Sequence, residues 1–372
     1  MNGPEGNGGG PGAPARQRLC LVLPTTGTFD SRTYRIAGAL AARGHEVTVL
    51  GRSAPGLPDD EHDPAGYRIV RVHVSAVDGM PLPAGLRGRL ARRWARRAPG
   101  TPLSSPSGGH ERRPARGPGA SARRALAGAV RIGAIVLTVR SQIRAALAAG
   151  PAADLYHGMA YMGIPVALAL GRQHGAAVVY DARDIYVDAN NLARLPRPAR
   201  FLLGRVERRW ARRAGRVVTV NRPYAEVMAN RFGVPLPAIV LNCSYRRPAD
   251  DTKPRRFHDR LDLAPDARVV LYQGGFSRER GIEQLLAAIV HVPNAALVLM
   301  GYGVLEAELH ARAADPAAAG RVYILPAVRP AELLDWVASA DVVAMPIQPS
   351  TLNHRLTTPN KLFEAMAAGV PV

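Results

Sequence analysis

The sequence predicts an α/β protein of two doubly wound, parallel-sheet domains, and three observations lead there. Its 372 residues exceed what one hydrophobic core ordinarily serves, and an apolar share of 47% is enough to build two. Short continuous apolar runs alternate with segments of helical period, the order expected when crossover helices bury strands on both faces. Polar or glycine-bearing loops follow several of those runs, where a parallel sheet places its ligand contacts.

The first run, Leu19–Pro24, leads through the loop TTGTFDSR into a helical pattern over Thr33–Arg43 that Gly44 ends. His45–Leu50 reads as the second strand, and Tyr67–Val74, which alternates, as a third, edge-like one. Met80–Ala120 is rich in Pro, Gly, Ser and Arg without a sustained period, which predicts an inserted loop, and Ala122–Leu147 is helical. Further strands are expected at Leu155–His157, Ala177–Tyr180, Val217–Asn221 and Ile239–Asn242, with a clear helix over Arg200–Arg213. The first domain thus covers 17–244, after a Gly/Pro-rich leader at 1–16 and before a polar linker at 245–259.

The second domain, 260–372, is more regular. Strands are expected at Val269–Gly275, Ala296–Gly303, the string VYILPA and Val342–Pro346, and helices at Ile282–Val292, Leu305–Ala314, Ala331–Ser339 and Asn360–Ala368. Val370-Pro371-Val372 has the character of another strand's beginning, so the expectation is a fragment of a longer protein.

The net charge of +20 resembles a nucleic-acid signal, but 47 of the 49 basic residues are arginine, beside abundant Ala, Gly and Pro. That skew points to coding bias more than to phosphate binding. Between Ala76 and Gly150 fourteen arginines face only Asp78 and Glu111, so this stretch holds twelve of the twenty net charges. Within it the arginine-rich region from Arg87 to Arg144, with the apolar run Ile132–Val139 near its end, reads either as a peripheral contact with anionic lipid or as a solvated insertion of biased coding. That run ends at Arg131 and Arg140 and is too short to span a bilayer. Cys20 and Cys243 form no CxxC or zinc spacing, and the leader lacks a basic and an apolar region, so a cytoplasmic chain is expected.

Three loops of the second domain have anion chemistry. In Gln273-Gly274-Gly275-Phe276-Ser277-Arg278-Glu279-Arg280-Gly281 paired glycines permit close backbone approach, and Arg280 precedes a helix whose free N–H groups favour phosphate. Gly301 and Gly303 make a second permissive loop. In the third, Thr358 suits a helix N-cap and Pro359 the first helical position. Lys361 and Glu364 then share a face, which sets a cation near a phosphate and a carboxylate, able to accept two ribose hydroxyls, one turn deeper.

The strings LYQGGFSRERGIEQLL, LVLMGYG, VYILPAVRPAELLDWVASADVVAMP and above all TTPNKLFEAMAAGVPV resemble the family 4 retaining glycosyltransferases, which have two facing Rossmann-like domains, the GT-B fold. GHEVTVL, DLYHGM, VVYDARDIY and RVVTVNRPYAEVMANRFG are similar to that family's first domain. The resemblance implies that Glu364 holds the ribose, that Arg280 stands where the family has a phosphate-binding lysine, and that Lys361 assists the diphosphate. Asn360 and Thr358 at the helix start, with Gly274, Gly275, Gly301, Gly303 and Arg278, complete the expected donor site. Two departures stand out: Leu356 where the family's first Glu is usual, and Gly275 in place of an arginine, with Arg278 or Arg355 as candidates to supply the charge.

On the acceptor side the candidates are Asp30, Arg32, His157, Asp181, Arg183 and Asp184, with His157 the one expected in the active site. The resemblance implies no cofactor and no metal, a nucleoside-diphosphate sugar as donor, and a glycan, lipid or small molecule as acceptor. Two other classes stay open: a non-catalytic or epimerase-like sugar-nucleotide binder with the same fold, and, further off, a basic nucleic-acid-binding protein, for which no aromatic interleaving or reading motif is present.

Overall fold

The computed structural model describes residues 15–28, 30–75, 85, 118–248, 252–316, 318 and 320–372. Most of the expected leader and of the Arg/Pro-rich insertion lies outside these residues.

Among the described residues the first domain holds β1 (Arg18–Val22), α1 (Ser31–Ala41), β2 (Glu46–Arg52), β3 (Asp60–His62), β4 (Arg68–Val72), α2 (Pro118–Ala149), β5 (Leu155–Met159) and α3 (Ala160–His174). It continues with β6 (Ala177–Asp181), a single 3-10 turn (Tyr186–Asp188), α4 (Asn190–Ala193), α5 (Arg197–Ala211), β7 (Arg216–Thr219), α6 (Arg222–Phe232) and β8 (Ala238–Ile239). The strands form one sheet in the order β3-β4-β2-β1-β5-β6-β7-β8. All neighbours run parallel except β3, which pairs antiparallel with β4. The run expected as the edge, Tyr67–Val74, is therefore second from it. The true edge strand, DEH, is three polar residues long and carries no period that could announce it.

The second domain holds α7 (Arg256–Leu261), β9 (Arg268–Gly275), α8 (Ile282–Ile289), β10 (Ala295–Tyr302), α9 (Glu306–Ala313), β11 (Val322–Pro326), α10 (Leu333–Ala338), β12 (Val342–Val343), α11 (Leu352–Leu356) and α12 (Asn360–Ala368). Its parallel sheet has the order β11-β10-β9-β12. Beyond β12, Val343 donates its N–H to the Pro371 carbonyl at 2.9 Å.

Each sheet is buried as the apolar runs require. Cys20, Val22, Tyr156, Ile164, Leu170 and Tyr180 meet in one cluster of the first domain, and Leu19, Leu21, Val47 and Val49 meet on the opposite face beside α1. In the second domain β9 and β10 divide their side chains between two clusters in the same way: Leu271 and Val298 on one side, Tyr272 and Leu299 on the other.

α2 corrects one expectation. The helix continues past Arg140 to Ala149, so residues 132–149 have the length and apolar composition to cross a bilayer, where the uninterrupted run had been too short. The same segment is fastened to the first sheet: it packs along α3, buries Val139 and Ala146, and Gln142 Nε2 donates to the Leu23 carbonyl at 2.6 Å.

The two domains meet through α11 and α12. Asn353 Oδ1 accepts from the Ile185 N–H (2.7 Å) and from Tyr224 Oη (2.8 Å), while its Nδ2 donates to Asp184 (3.0 Å). Asn221 Nδ2 donates to the Leu356 carbonyl (2.8 Å), and Leu352 and Leu356 pack against the first domain's core. Residues after β6, β7 and β8 thus face residues after β12, which brings the carboxyl ends of the two sheets together.

Candidate active site

The strand-to-helix order that buries β9 also delivers its last residues to the domain boundary. Tyr272 and Gln273 are buried there, and Gly274 follows at φ +116°, a conformation that favours glycine. Lys361, on the first turn of α12, lies over the Tyr272 ring with Nζ 3.6 Å from the centroid, and an added Cβ at Gly274 would stand 4.0 Å from that nitrogen. A Cβ at Gly275 would meet nothing within 4 Å. The loop is therefore open beside a buried cation.

Burial pushes the Lys361 ammonium down to about 7, and the charge of Arg280 adds to the fall while Glu364 opposes it. Arg280 also lowers His354, whose imidazole is depressed first by burial and partly restored by Glu279 and Asp184. Arg280 thus disfavours the charged forms of both Lys361 and His354, which burial already disfavours.

Glu364 sits one turn beyond Lys361 and is likewise buried. Its Oε2 accepts from Gln273 Nε2 at 2.8 Å, and its Oε1 is 3.5 Å from Arg35 Nη2, which comes from α1 in the other domain. Arg35 itself is held by Asn242 and Ser244. The Gln273 Oε1 is buried and has no hydrogen-bond partner among the described residues. Neither Gln273 nor Arg35 was a sequence candidate; a glutamine in the otherwise apolar run VVLYQGG was the one available signal, because a polar side chain buried on a strand needs a partner.

The start of α12 differs from the expected one. Thr358 does not cap the helix: Pro359 occupies the cap position at φ −71°, ψ 147°, without a capping side chain, and the helix begins at Asn360. Thr358 is engaged instead by Asn221 of the first domain, whose Nδ2 donates to its Oγ1 at 3.2 Å. Asn360 points across the boundary, accepting from Asn242 Nδ2 (2.6 Å) and donating to Ser31 Oγ (3.2 Å).

The remaining donor-side candidates separate. A Cβ on Gly301 would overlap the Gly274 carbonyl oxygen and one on Gly303 that of Phe276, so both glycines let β10 lie against the β9 loop. Arg278 is exposed and lies 3.6 Å from Glu308, and Arg355 is exposed.

The acceptor-side candidates fall into three sets of contacts, buried or half-buried. Asp181, fully buried, receives Arg32 Nε at 2.8 Å and lies 3.3 Å from His157 Nε2. Burial alone would raise its carboxyl, but the hydrogen bond to His157 and the charge of Arg32 hold it well below the usual carboxylate range. Arg183 donates from Nη1 alone to both oxygens of Asp30 (2.7 and 2.8 Å), and Asp30 also caps α1 through the Thr33 N–H. Asp184 is engaged by Asn353. His157 keeps a small exposed fraction, 13%, beside Asp181.

The fold is GT-B: the structure superposes on sucrose-phosphate synthase from Thermosynechococcus elongatus with a TM-score of 0.63 at 20% identity, over 96% of this chain and 80% of that one. Anabaena Alr3699/HepE, in complex with UDP and glucose, superposes with a TM-score of 0.57 at 15% identity, over 96% and 80% of the two chains. Residues 267–372 match the family model of glycosyl transferases group 1. A D-inositol 3-phosphate glycosyltransferase of Xylanimonas cellulosilytica is 32% identical over 130 residues, 34% of this chain; the match spans only 30% of the relative's length.

Proposed function

We propose that this chain transfers a sugar from a nucleoside-diphosphate sugar to a glycan, lipid or small-molecule hydroxyl acceptor, with retention at the anomeric carbon and without a metal. The observation that carries this reading is the meeting of Lys361, Arg280 and Glu364, buried or half-buried, at the open Gly274-Gly275 loop. The match of residues 267–372 to glycosyl transferases group 1 supports it, and the UDP bound to HepE makes a uridine diphosphate donor the first to assay.

Breaking the sugar–phosphate bond leaves negative charge on the departing diphosphate. Arg280 and Lys361 stabilise it, the buried Lys361 from surroundings where a charge counts for more than in solution. Glu364, oriented by Gln273, accepts the ribose hydroxyls and fixes the nucleotide's position. On the other side of the boundary His157, backed by Asp181, faces the acceptor.

The test is a panel of nucleotide sugars assayed for donor hydrolysis and transfer, together with UDP binding to the native chain, Arg280→Ala and Lys361→Ala. Each substitution is expected to lower donor kcat/KM about a hundredfold. Unchanged UDP affinity in the double variant overturns the reading.

A further inference from the structure

We infer that the outer face of α5 docks on an anionic lipid bilayer. This helix plays no part in the donor site, and its two sides differ sharply. Leu203, Glu207 and Ala211 are buried at helical spacing, with Leu203 packed beside Tyr161 in a small cluster that includes Tyr186 and Val187.

The opposite stripe is exposed and carries Arg197, Phe201, Leu202, Arg205, Arg208 and Arg209. Phe201 is 65% exposed and Leu202 59%, two large apolar side chains in adjacent positions that no element among the described residues covers. Arg205 lies over the Phe201 ring at 5.4 Å. The stripe holds no acidic residue, because the helix's one carboxylate, Glu207, points inward to Tyr180. Among the described residues no carboxylate pairs with Arg197, Arg205, Arg208 or Arg209. Just past the helix Arg212 and Arg213 are exposed as well.

Cations flanking an apolar pair on one face are what a bilayer surface selects: the rings and methyls enter the acyl boundary while guanidinium groups meet lipid phosphates. A nucleic acid would use the arginines but has no place for Leu202. The helix links two parallel strands, β6 and β7, and so runs antiparallel to both. Its first turns, with Phe201 and Leu202, stand at the end of the sheet that faces the second domain. A bilayer held there lies beside the acceptor-side residues.

Co-sedimentation of the full chain with phosphatidylcholine vesicles, with and without phosphatidylglycerol, tests this. Binding is expected only to the anionic vesicles and is expected to fall with salt. The double substitution Arg205→Ala/Arg209→Ala is expected to lower partitioning about 30-fold, at about a fivefold effect per arginine. Phe201→Ser lowers it about tenfold, at high as well as low salt. Circular dichroism verifies that these surface variants fold. Binding that survives both variants belongs to another basic segment and overturns the inference. So does equal binding to neutral vesicles, and so does retention of single-stranded RNA that Arg205→Ala/Arg209→Ala abolishes while Phe201→Ser leaves vesicle binding intact.

Discussion

Arg35 of the first domain reaches to 3.5 Å from Glu364 of the second, and the carboxylate's other oxygen accepts from Gln273 at 2.8 Å. One acid, set on the helix proposed to hold the nucleotide, is thereby tied both to its own sheet and to the opposite domain. The pair is mostly withdrawn from water, with Arg35 17% and Glu364 7% exposed, so it falls between a surface ion pair and a buried one. Arg35→Met is expected to destabilise the protein by about 2 kcal/mol in urea unfolding. A double-mutant cycle with Glu364→Gln measures the coupling; a coupling near zero shows that the contact does not hold the domains together.

Lys361 makes donor binding depend on pH. Its ammonium titrates near 7 in the unliganded protein, so above that pH the site must take up a proton before it pairs with a diphosphate. A bound anion raises the group again, and donor affinity is expected to weaken as pH rises above about 7, by at most about tenfold per pH unit. The intact sugar nucleotide is the right probe, since its diphosphate diester does not itself titrate in that range. Lys361→Arg keeps its charge throughout and flattens the profile. A native profile as flat as that of Lys361→Arg counts against a phosphate contact by Lys361.

Glu207 governs a separate pH effect, on stability. Burial pushes its carboxyl up to about 7 from 4.5, against the hydrogen bond from Tyr180 and the charge of Arg231. The folded state therefore binds more protons than the unfolded one between those values, and stability is expected to fall as pH rises from about 4.5 to about 7. The loss is at most about 3 kcal/mol. Glu207→Gln, which still accepts from Tyr180, removes the dependence, and Tm at pH above 7 is expected to increase. A lower Tm for this variant at alkaline pH contradicts the assignment.

The glycines of the donor loops divide into two kinds. Gly275→Ala adds a methyl to open space and is expected to leave stability within about 0.5 kcal/mol. Gly301→Ala drives a methyl into the Gly274 carbonyl and is expected to cost about 3 kcal/mol and to weaken UDP binding by displacing the loop. Equal melting temperatures for the two variants refute the distinction.

Periodicity and loop position made the main architecture legible. VVLYQGG and ALVLMGYG became β9 and β10, and the span 360–368 became α12, with Pro359 and not Thr358 at its cap position. Lys361 and Glu364 share a helix face because a three-residue spacing dictates it. The cues failed where they depend on neighbours: DEH pairs with β4 only because the sheet presents an edge, and Thr358 turns to Asn221 only because the two domains meet there.

By itself, then, the sequence determined two parallel α/β sheets, the loops that follow their strands, and the cation and acid of the last helix, since all of these rest on local spacing. Only the tertiary structure decided what those groups face. It set Lys361 on Tyr272, Glu364 between Gln273 and Arg35, and Arg278 beside Glu308. It also joined His157, Asp181 and Arg32 in one network from three separate elements. Burial, and with it the charge state of Lys361 and Glu207, depends on chain segments distant in sequence coming into contact, which no local pattern encodes.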